Sequence, residues 1–379
     1  MRETFQLVEA AALSERDWQS LARLRAACPG CESPFLDPGF ARAVAQVRPD
    51  TFIGLAFEDE TLVAAWPLQV ARDGWTRPAG APFADWNGPL IAPGSTLTPA
   101  RLIDALGLAG HTGSNMTCRP GGPALHEEAT RSLVTDLSAG ARATLDGLAR
   151  HHPRHFKKLR RLGRKLAADY GPVTLTRAGP ESEALGRLLD LKRAQLVRSG
   201  LHDVLSPAWV RALLESLHQT RTSSDFCAEL FVLEAGGEFV AAEFNLRSGP
   251  VMHGWLAGYE PRFAAYSPGH LLVMHLLPEI AARGVVEYDA GTAEHGYKDY
   301  FANGERTGVS ATLFAESRRT AFQPVRHTLH RLEHTGPGVL ARLIGRTRRR
   351  LDQICAAETS LRGRTRGTLS ALRRFFPAG

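Results

Sequence analysis

The sequence has no apolar run that approaches the roughly eighteen residues of a membrane-spanning helix. Its first residues, Met-Arg-Glu-Thr-Phe-Gln, lack the apolar core and small-residue cleavage site of a signal peptide. Cysteine is also scarce, because only five of the 379 residues are cysteine. An odd number of cysteines in a long chain favours a reducing compartment over a disulfide framework. These absences together predict a cytoplasmic protein.

Residues that bind metals occur in this sequence, but not in complete sets. The segment Cys28-Pro-Gly-Cys31 has the spacing of a redox pair or of half a zinc site, yet no second pair and no nearby histidine accompany it. We therefore interpret it as a turn. The histidines of His151-His-Pro-Arg-His155 have no carboxylate or cysteine beside them, and proline interrupts their spacing. No metal site is predicted.

The net charge of +7 is concentrated in the C-terminal part of the chain. From Arg318 onward there are fourteen arginines, no lysine and three acidic residues, so the remainder carries a small negative charge. Apolar groups recur between the arginines, as in a helix that lies on an anionic membrane surface. The candidates for binding an anionic ligand in this tail are Arg346, Arg348, Arg349 and Arg350.

The basic tail leaves several partners open. The arginine fork matches phosphates and guanine edges, so a cyclic dinucleotide is a second hypothesis beside the membrane surface. Nucleic acid is disfavoured, because aromatic residues are not interleaved with the arginines. A solvated tail without a ligand is the remaining alternative.

Residues 1–145 are predicted to form one α/β unit. A capping box at Ser14-Glu-Arg-Asp17 begins a helix, residues 38–47 form a second helix, and residues 51–57 and 61–70 form a hairpin. A basic connector helix follows at 146–170, with Phe156, Leu159, Leu162 and Leu166 on its apolar face. Its cationic face is interpreted either as a solvated surface or as an anion-binding surface.

The stretch 228–301 is the best-defined part of the second unit, which is predicted at residues 171–317. Strands are predicted at 229–234, 238–247, 251–259 and 285–290, with a helix between the last two. Ser267 is predicted as the N-cap of that helix, with Pro268 at its first position. A helix that begins directly after a strand offers free N–H groups to an anionic group such as a pyrophosphate, although an ordinary turn is the alternative.

These residues resemble a known family. Gly258-Tyr259, Tyr266-Ser-Pro-Gly-His-Leu-Leu272, Tyr288-Asp-Ala-Gly291 and Gly296-Tyr-Lys298 are similar to the GNAT-type acyltransferase domain of the CelD/BcsL family of bacterial exopolysaccharide biosynthesis, which is related to the Fem aminoacyltransferases. The resemblance implies a mixed α/β fold with tandem GNAT-like units, followed here by a basic helical tail at 318–379. It extends to acyltransferases of holdfast-type polysaccharides, whose systems are often governed by cyclic dinucleotides such as cyclic di-GMP.

The resemblance implies an acyl-CoA donor, acetyl-CoA or another, bound by residues around the helix start. These cofactor-binding candidates are Arg262, Tyr266, Ser267, Gly269 and His270. The catalytic candidates are Asp289 as base and Tyr297 as acid, with Glu243 and His253 as alternates. Asp289 could also end its strand in an Asp-x-Gly turn, and His253 could be a core histidine.

Three further residues are candidates for acceptor binding. Asp85 and Trp86 lie in a polar and aromatic loop that the family also carries, although a turn cap and a core tryptophan explain them equally well. Lys298 could neutralise a phosphate of the acceptor, or it could be a surface residue.

The sequence therefore predicts a cytoplasmic N-acyltransferase, with N-acetylation as its reaction. Its acceptor is expected to be an amino sugar on an exopolysaccharide precursor at the inner face of the membrane. One alternative is a Fem-like transferase that uses aminoacyl-tRNA, with the connector helix contacting RNA. The other is a non-catalytic protein whose tail senses an anionic ligand.

Overall fold

The computed structural model describes residues 2–122, 124–219, 225–291, 297–315, 328, 332–333 and 338–372. The chain divides into two compact units. The first contains Met1–Thr130, Gly200–Leu213 and Thr307–Gly379, and the second contains Arg131–Ser199 and Leu214–Arg306. The division falls earlier than the predicted boundary at residue 145. The segment predicted as a separate tail belongs to the first unit.

Thirteen strands and ten α-helices are formed by the described residues. The strands are β1 (Glu3–Glu9), β2 (Thr51–Glu58), β3 (Thr61–Val70), β4 (Trp75–Pro78), β5 (Leu90–Ile91), β6 (Gly110–Met116), β7 (Ala124–Asp136), β8 (Val173–Ala178), β9 (Phe226–Ala235), β10 (Glu238–Ser248), β11 (Val251–Tyr259), β12 (Glu287–Asp289) and β13 (Gly304–Phe314). The helices are α1 (Glu15–Ala27), α2 (Pro38–Val47), α3 (Pro99–Ala105), α4 (Ala141–His151), α5 (Pro153–Tyr170), α6 (Ala184–Arg198), α7 (Ala208–Gln219), α8 (Pro268–Ala282), α9 (Gly338–Ala357) and α10 (Leu361–Leu372). None of the helices described has the length and apolar composition that crossing a bilayer requires.

The first unit contains a sheet with the strand order β1-β2-β3-β4-β6-β13, and β5 pairs with β3. Neighbouring strands are antiparallel except β4 and β6, which are parallel. The connection between the parallel strands includes α3, as a parallel crossover requires.

The second unit repeats this topology. Its strand order is β8-β9-β10-β11-β12-β7, and its one parallel pair is β11 with β12, connected through α8. The pairs β8–β9, β9–β10, β10–β11 and β12–β7 are antiparallel. In each unit, four consecutive strands are followed by a parallel fifth strand and an antiparallel sixth. The repeat was predicted only from element order, because the two halves share no clear sequence repeat.

Apolar side chains of helices and strands form separate cores within each unit. In the first, Trp66, Leu68 and Leu313 are fully buried around the sheet. In the second, α5 contributes Phe156, Leu159, Leu162 and Leu166, the four residues that the sequence places on its apolar face. Burial of such an amphipathic face, rather than helix propensity, is the main source of its stability.

The C-terminal helix α9 is anchored in the first unit. The indole N–H of Trp209 donates to the carbonyl of Ala357 at 2.7 Å, and Arg48 donates to the carbonyl of Ala356 at 3.2 Å. The Arg48 guanidinium also lies over the Trp209 ring, 4.6 Å from its centroid. These bonds satisfy carbonyls at the end of the helix, and Ile354 beside them is buried. The basic C-terminal part is therefore partly core.

Candidate functional site

The second unit has an opening where two parallel strands separate. Strand β12 pairs with β11 only along Val251–His253 and ends at Asp289, whereas β11 continues to Tyr259. The second half of β11 therefore has an edge that is not paired with β12. A cavity of about 450 Å3 lies at this place.

Five elements line the cavity. Its walls are formed by β10, the second half of β11, the start of α8, one face of α6 and the residues that follow β12. The side chains and backbone groups that define its chemistry are Lys192, Gln195, Glu243, Gly254, Trp255, Ser267, Gly269, His270, Tyr288 and Lys298.

The start of α8 lies at the cavity, but Ser267 does not cap the helix as predicted. Its hydroxyl makes no cap hydrogen bond, because the residue has φ of 56° and is left-handed, whereas a capping serine adopts an extended backbone. Pro268, Gly269 and His270 line the cavity in the first turn. The N–H groups and positive dipole end of this helix are therefore placed where an anionic group could bind.

Glu243 is the buried carboxylate of the cavity wall. It lies in β10, is 3% exposed, and accepts a hydrogen bond from the Tyr288 hydroxyl at 2.5 Å. Burial raises the pKa of Glu243, although the Tyr288 hydrogen bond and the charges of Lys298, His253 and Lys192 partly oppose this. The carboxylate is therefore more basic than an exposed glutamate.

Gly254 leaves the space that this pair occupies. A Cβ atom there would lie 2.5 Å from the nearer Glu243 oxygen and would also overlap the Tyr288 hydroxyl. Only glycine is compatible with the hydrogen bond between these two side chains.

Two lysines supply positive charge to the same cavity. Lys298 donates a hydrogen bond to the carbonyl of Ala290, just after β12. Lys192 in α6 is mostly buried, and burial followed by the charge of Lys298 lowers its pKa, against the opposing effect of Glu243. Sequence reasoning missed Lys192. The sequence does contain an indication of its burial. Lys192 lies four residues after Leu188 and three after Leu189, on the buried face of α6.

Asp289 and His253 contact each other, but neither lines the cavity. Atom Nδ1 of His253 lies 3.4 Å from Asp289 Oδ2, and both side chains are at most 1% exposed. The other carboxylate oxygen of Asp289 accepts hydrogen bonds from the Ser132 hydroxyl and from the Gly291 N–H. This arrangement joins β7, β11 and β12 by buried polar contacts.

The pKa of Asp289 has opposing causes. Burial alone would raise it, but the neighbouring His253 ring and the hydrogen bonds from Ser132 and Gly291 outweigh burial and hold the pKa below its ordinary value. An aspartate with a depressed pKa is a weaker base than an ordinary one. The predicted role of Asp289 as base therefore has less support from geometry than the alternate, Glu243.

His270 belongs to an aromatic cluster at the N-terminal end of α8. The ring of His155 stacks on Tyr300 at a centroid distance of 3.7 Å, and the His270 ring lies 5.0 Å from His155. Burial, then the charges of His155 and Lys158, lower the pKa of His270 to about 4. His270 is therefore neutral at physiological pH.

Other predicted site residues lie elsewhere. Arg262 pairs with Glu238, and the hydroxyl of Tyr266 donates to Asp169 at 2.5 Å, so neither side chain lines the cavity. The side chain of Tyr297 lies outside the described residues, although its backbone begins a 3-10 helix that ends at Phe301.

Asp85 and Trp86 belong to the first unit. Trp86 is 1% exposed, and the carbonyl of Asp85 accepts a hydrogen bond from the Asn115 side chain at 2.8 Å. The burial of the indole agrees with the alternative that Trp86 is a core residue, and not with a role in binding the acceptor.

The arginines predicted to bind an anion in the tail are largely occupied. Arg348 donates to Glu333 at 2.6 Å and to Asp352 at 3.1 Å, and Arg349 donates to Glu333 at 2.8 Å. Arg346 is exposed, and Arg350 is partly exposed. An external anion would compete with the acidic partners of Arg348 and Arg349.

Comparison with known proteins finds a family match in the second unit. Residues 153–299 match the family model described as an acetyltransferase (GNAT) domain. No curated protein matches the chain in sequence. These matched residues include β10, β11, α8 and β12, the elements that form most of the cavity.

Solved structures resemble the chain more widely. The crystal structure of FemX is 10% identical and has a TM-score of 0.54, with 87% of this chain and 100% of FemX covered. A tandem GNAT protein from the clavulanic acid biosynthesis pathway is 13% identical, with a TM-score of 0.47 and coverage of 84% and 100%. The C-terminal domain of a lysylphosphatidylglycerol synthetase from Agrobacterium fabrum is 12% identical, with a TM-score of 0.47 and coverage of 85% and 98%.

The predicted mixed α/β fold with tandem GNAT-like units is confirmed by the family match, by the resemblance to FemX and by the repeated strand order. Residues 153–299 match the GNAT acetyltransferase domain model, and the fold of the chain resembles that of FemX.

Proposed function

We propose that the second unit transfers an acyl group from acyl-CoA, acetyl-CoA first among the candidates, to an amine. The observation that carries this proposal is the placement of Glu243. A buried carboxylate with a raised pKa lies in the wall of a cavity formed by separating strands, beside the start of a helix. Such a carboxylate suits general base catalysis near neutral pH.

The donor would bind between β11 and α8. The pyrophosphate would accept hydrogen bonds from the first turn of α8, where Gly269 permits close approach and the helix dipole favours negative charge. The edge of β11 beyond its pairing with β12 lies along this cavity, and its backbone groups would hydrogen-bond the amides of the extended pantetheine arm. Both features belong to described residues of one unit.

The reaction requires that one proton leaves the acceptor and one reaches the leaving group. The amine nitrogen attacks the thioester carbonyl carbon, a C–N bond forms, the C–S bond breaks, and Glu243 accepts the proton from nitrogen. The thiolate then takes up a proton. Lys192 is suited to supply it, because burial lowers its pKa. Tyr297, the predicted acid, remains a candidate for the same step.

The acceptor class follows from the sequence resemblance rather than from the cavity. The motifs shared with the CelD/BcsL family support an amino sugar on an exopolysaccharide precursor, acylated at the inner face of the membrane. Gln195 and Trp255 line the cavity and could contact a sugar by hydrogen bonding and stacking. The acetylated product would be an N-acetyl sugar and free CoA.

The test is a CoA-release assay with acetyl-CoA and a panel of amino sugars, run beside calorimetric titration with acetyl-CoA. Binding in the micromolar range, about −8 kcal/mol, together with thiol release supports the proposal. Absence of both heat and thiol release refutes the acyl-CoA donor. Binding heat with acetyl-CoA, but no thiol release with any of the amino sugars, would support the acyl-CoA donor and refute the amino-sugar acceptor.

A second candidate is a Fem-like transferase that uses aminoacyl-tRNA. Helix α5 exposes seven cationic side chains on the face opposite its apolar residues, and the fold resembles FemX. These cations are Arg154, Lys157, Lys158, Arg160, Arg161, Arg164 and Lys165. Salt-sensitive tRNA binding that is lost on reversing Lys157, Arg161 and Arg164 would favour this function, and tRNA binding unaffected by these changes would count against it.

The tail also keeps its proposed role in binding a membrane surface or a cyclic dinucleotide. Deleting the tail is a poor test of this role, because α9 is part of the core of the first unit and its removal would disturb the fold. Replacing the exposed Arg346, Arg362 and Arg366 by glutamate leaves that core intact. If the variant no longer cosediments with anionic vesicles, the membrane-binding hypothesis is supported. If it no longer gives binding heat with cyclic di-GMP, the dinucleotide hypothesis is supported.

A further inference from the structure

The first unit contains a cavity at the same point of its topology as the second. Strands β4 and β6 are parallel for two residue pairs, Trp75 with Gly110 and Thr76 with His111, and then separate. A cavity of about 530 Å3 lies beyond these pairs, bounded by the end of β4, the following part of β6, β13 and helix α9. Each unit thus opens where its parallel pair ends.

Arg77 is the cationic group of this cavity with capacity for a ligand. Its side chain is 19% exposed, and among the described residues its ionic partner is Asp352, at 3.9 Å. That distance is too long for a hydrogen bond. A guanidinium has five N–H donors, and among the described residues none of those of Arg77 is used by Asp352 at hydrogen-bond distance.

The other charges of the lining are those of Arg348, Arg349, Glu128, Glu333 and Asp352. Arg348 and Arg349 also line the cavity, but they donate to Glu333 and Asp352 at hydrogen-bond distances. Their charge is therefore balanced within the described part of the protein. One anionic group on a ligand would pair with Arg77, whereas a polyanion would meet Glu333 and Asp352.

The remainder of the lining combines hydroxyl-bearing and apolar residues. Thr112 and Ser114 come from β6, Ser310 comes from β13, and Pro78 and Pro82 are among the apolar residues. Thr112 accepts a hydrogen bond from the Trp75 indole at 3.2 Å, which leaves its own O–H to donate. Hydroxyl groups and apolar surface are complementary to the edges and the C–H face of a sugar ring.

We propose that this cavity binds a saccharide with one anionic group, a carboxylate or a phosphate, that pairs with Arg77. Planar, bidentate recognition of either anion is a property of arginine. The volume accommodates a monosaccharide and part of a second residue or linkage. The site belongs to the first unit alone and does not depend on the chemistry proposed for the second.

The experiment is calorimetric titration of the full chain with glucose 6-phosphate and with glucuronate, with glucose and inorganic phosphate as reference ligands. We expect one anionic sugar to bind more tightly than both references. Arg77→Met should weaken this binding by about tenfold or more, because hydrogen bonds to charged groups are lost. Glucose 6-phosphate would identify the anion as phosphate, and glucuronate would identify it as carboxylate.

Two further variants make the result specific. Arg72→Met removes an exposed arginine close to β4 that does not line the cavity, and it should leave binding unchanged. Ala341→Trp fills the cavity from α9 and should abolish binding while the melting transition stays cooperative. Absence of binding by both anionic sugars overturns the proposal. Binding that survives Arg77→Met and Ala341→Trp, or equal binding of glucose, overturns it as well.

Discussion

Replacing Glu243 by glutamine tests the proposed chemistry most directly. Glutamine has nearly the same volume, and its amide oxygen can still accept the hydrogen bond that Tyr288 donates at 2.5 Å. The cavity wall should therefore keep its shape, while the group that accepts the proton is lost. Loss of a general base lowers turnover by about 100- to 10,000-fold, or about 3 to 5 kcal/mol of transition-state stabilisation.

The same substitution should increase stability. The folded-state pKa of Glu243 is raised, so the ionised carboxylate costs stability at every pH above its unfolded-state pKa. Glutamine removes that cost, and we expect a higher melting temperature at pH 8. In the unsubstituted protein, kcat/KM should fall as pH falls through the raised pKa of Glu243, and the variant should lose this acidic limb.

Glu229 provides a matched control. It is also a buried strand glutamate, at 5% exposure, but it pairs with Arg177 at 3.0 Å and with Arg283 at 3.5 Å and does not line the cavity. Glu229→Gln should lower stability by about 1 to 3 kcal/mol and leave turnover unchanged. Thiol release with acetyl-CoA and thermal melts measure both effects. Turnover of Glu243→Gln within twofold of the unsubstituted protein, with the same pH profile, would refute the role of base.

Three further results are expected. Asp289→Asn should lower the free energy of unfolding by about 1 to 3 kcal/mol in denaturant melts, because an amide replaces the buried carboxylate that contacts His253 and accepts hydrogen bonds from Ser132 and Gly291; an unchanged midpoint would contradict this. Gly254→Ala should reduce turnover at least as much as loss of the base, because its Cβ would overlap Tyr288 and Glu243; normal turnover would show that this pair is dispensable. Acetyl-CoA affinity should increase as pH falls toward 4, because His270 then becomes cationic beside the pyrophosphate; a flat titration, or the same slope in His270→Gln, would exclude that contact.

The local elements of this fold follow closely from sequence patterns. Helix α2 and strands β3 and β11 have the bounds that turn residues and periodicity predict. The apolar face of α5 is also predictable, since four residues at helical spacing define it. These features depend on contacts between residues close in sequence.

The candidate site depends on contacts that local patterns do not contain. Asp289 at a strand end could face either a ligand or a polar interior, and its burial is decided by Ser132 on a distant strand. Ser267 has the residue type of an N-cap, but the preceding 3-10 turn imposes a left-handed backbone on it. The tail arginines look available in sequence, yet Glu333 and Asp352 become their partners only through helix packing.

The candidates named from the sequence in the second unit are only partly brought together. Ser267, Gly269, His270, Glu243 and Lys298 line one cavity, whereas Asp289, His253, Arg262 and Tyr266 do not. Lys192 could not be found from motifs alone, because a lysine on the apolar face of a helix belongs to no motif.

The order in which the chain is synthesised has a consequence for the first unit. Its sixth strand, β13, pairs with β6 through contacts such as Leu313 with His111, about 200 residues earlier. All segments of the second unit leave the ribosome before those that complete the first. During that interval the edge of β6 is without its neighbour, and an exposed strand edge pairs readily with other chains. The unit that begins the chain is thus the last to finish folding, so slow or interrupted translation after residue 306 should cause aggregation rather than release of a folded fragment.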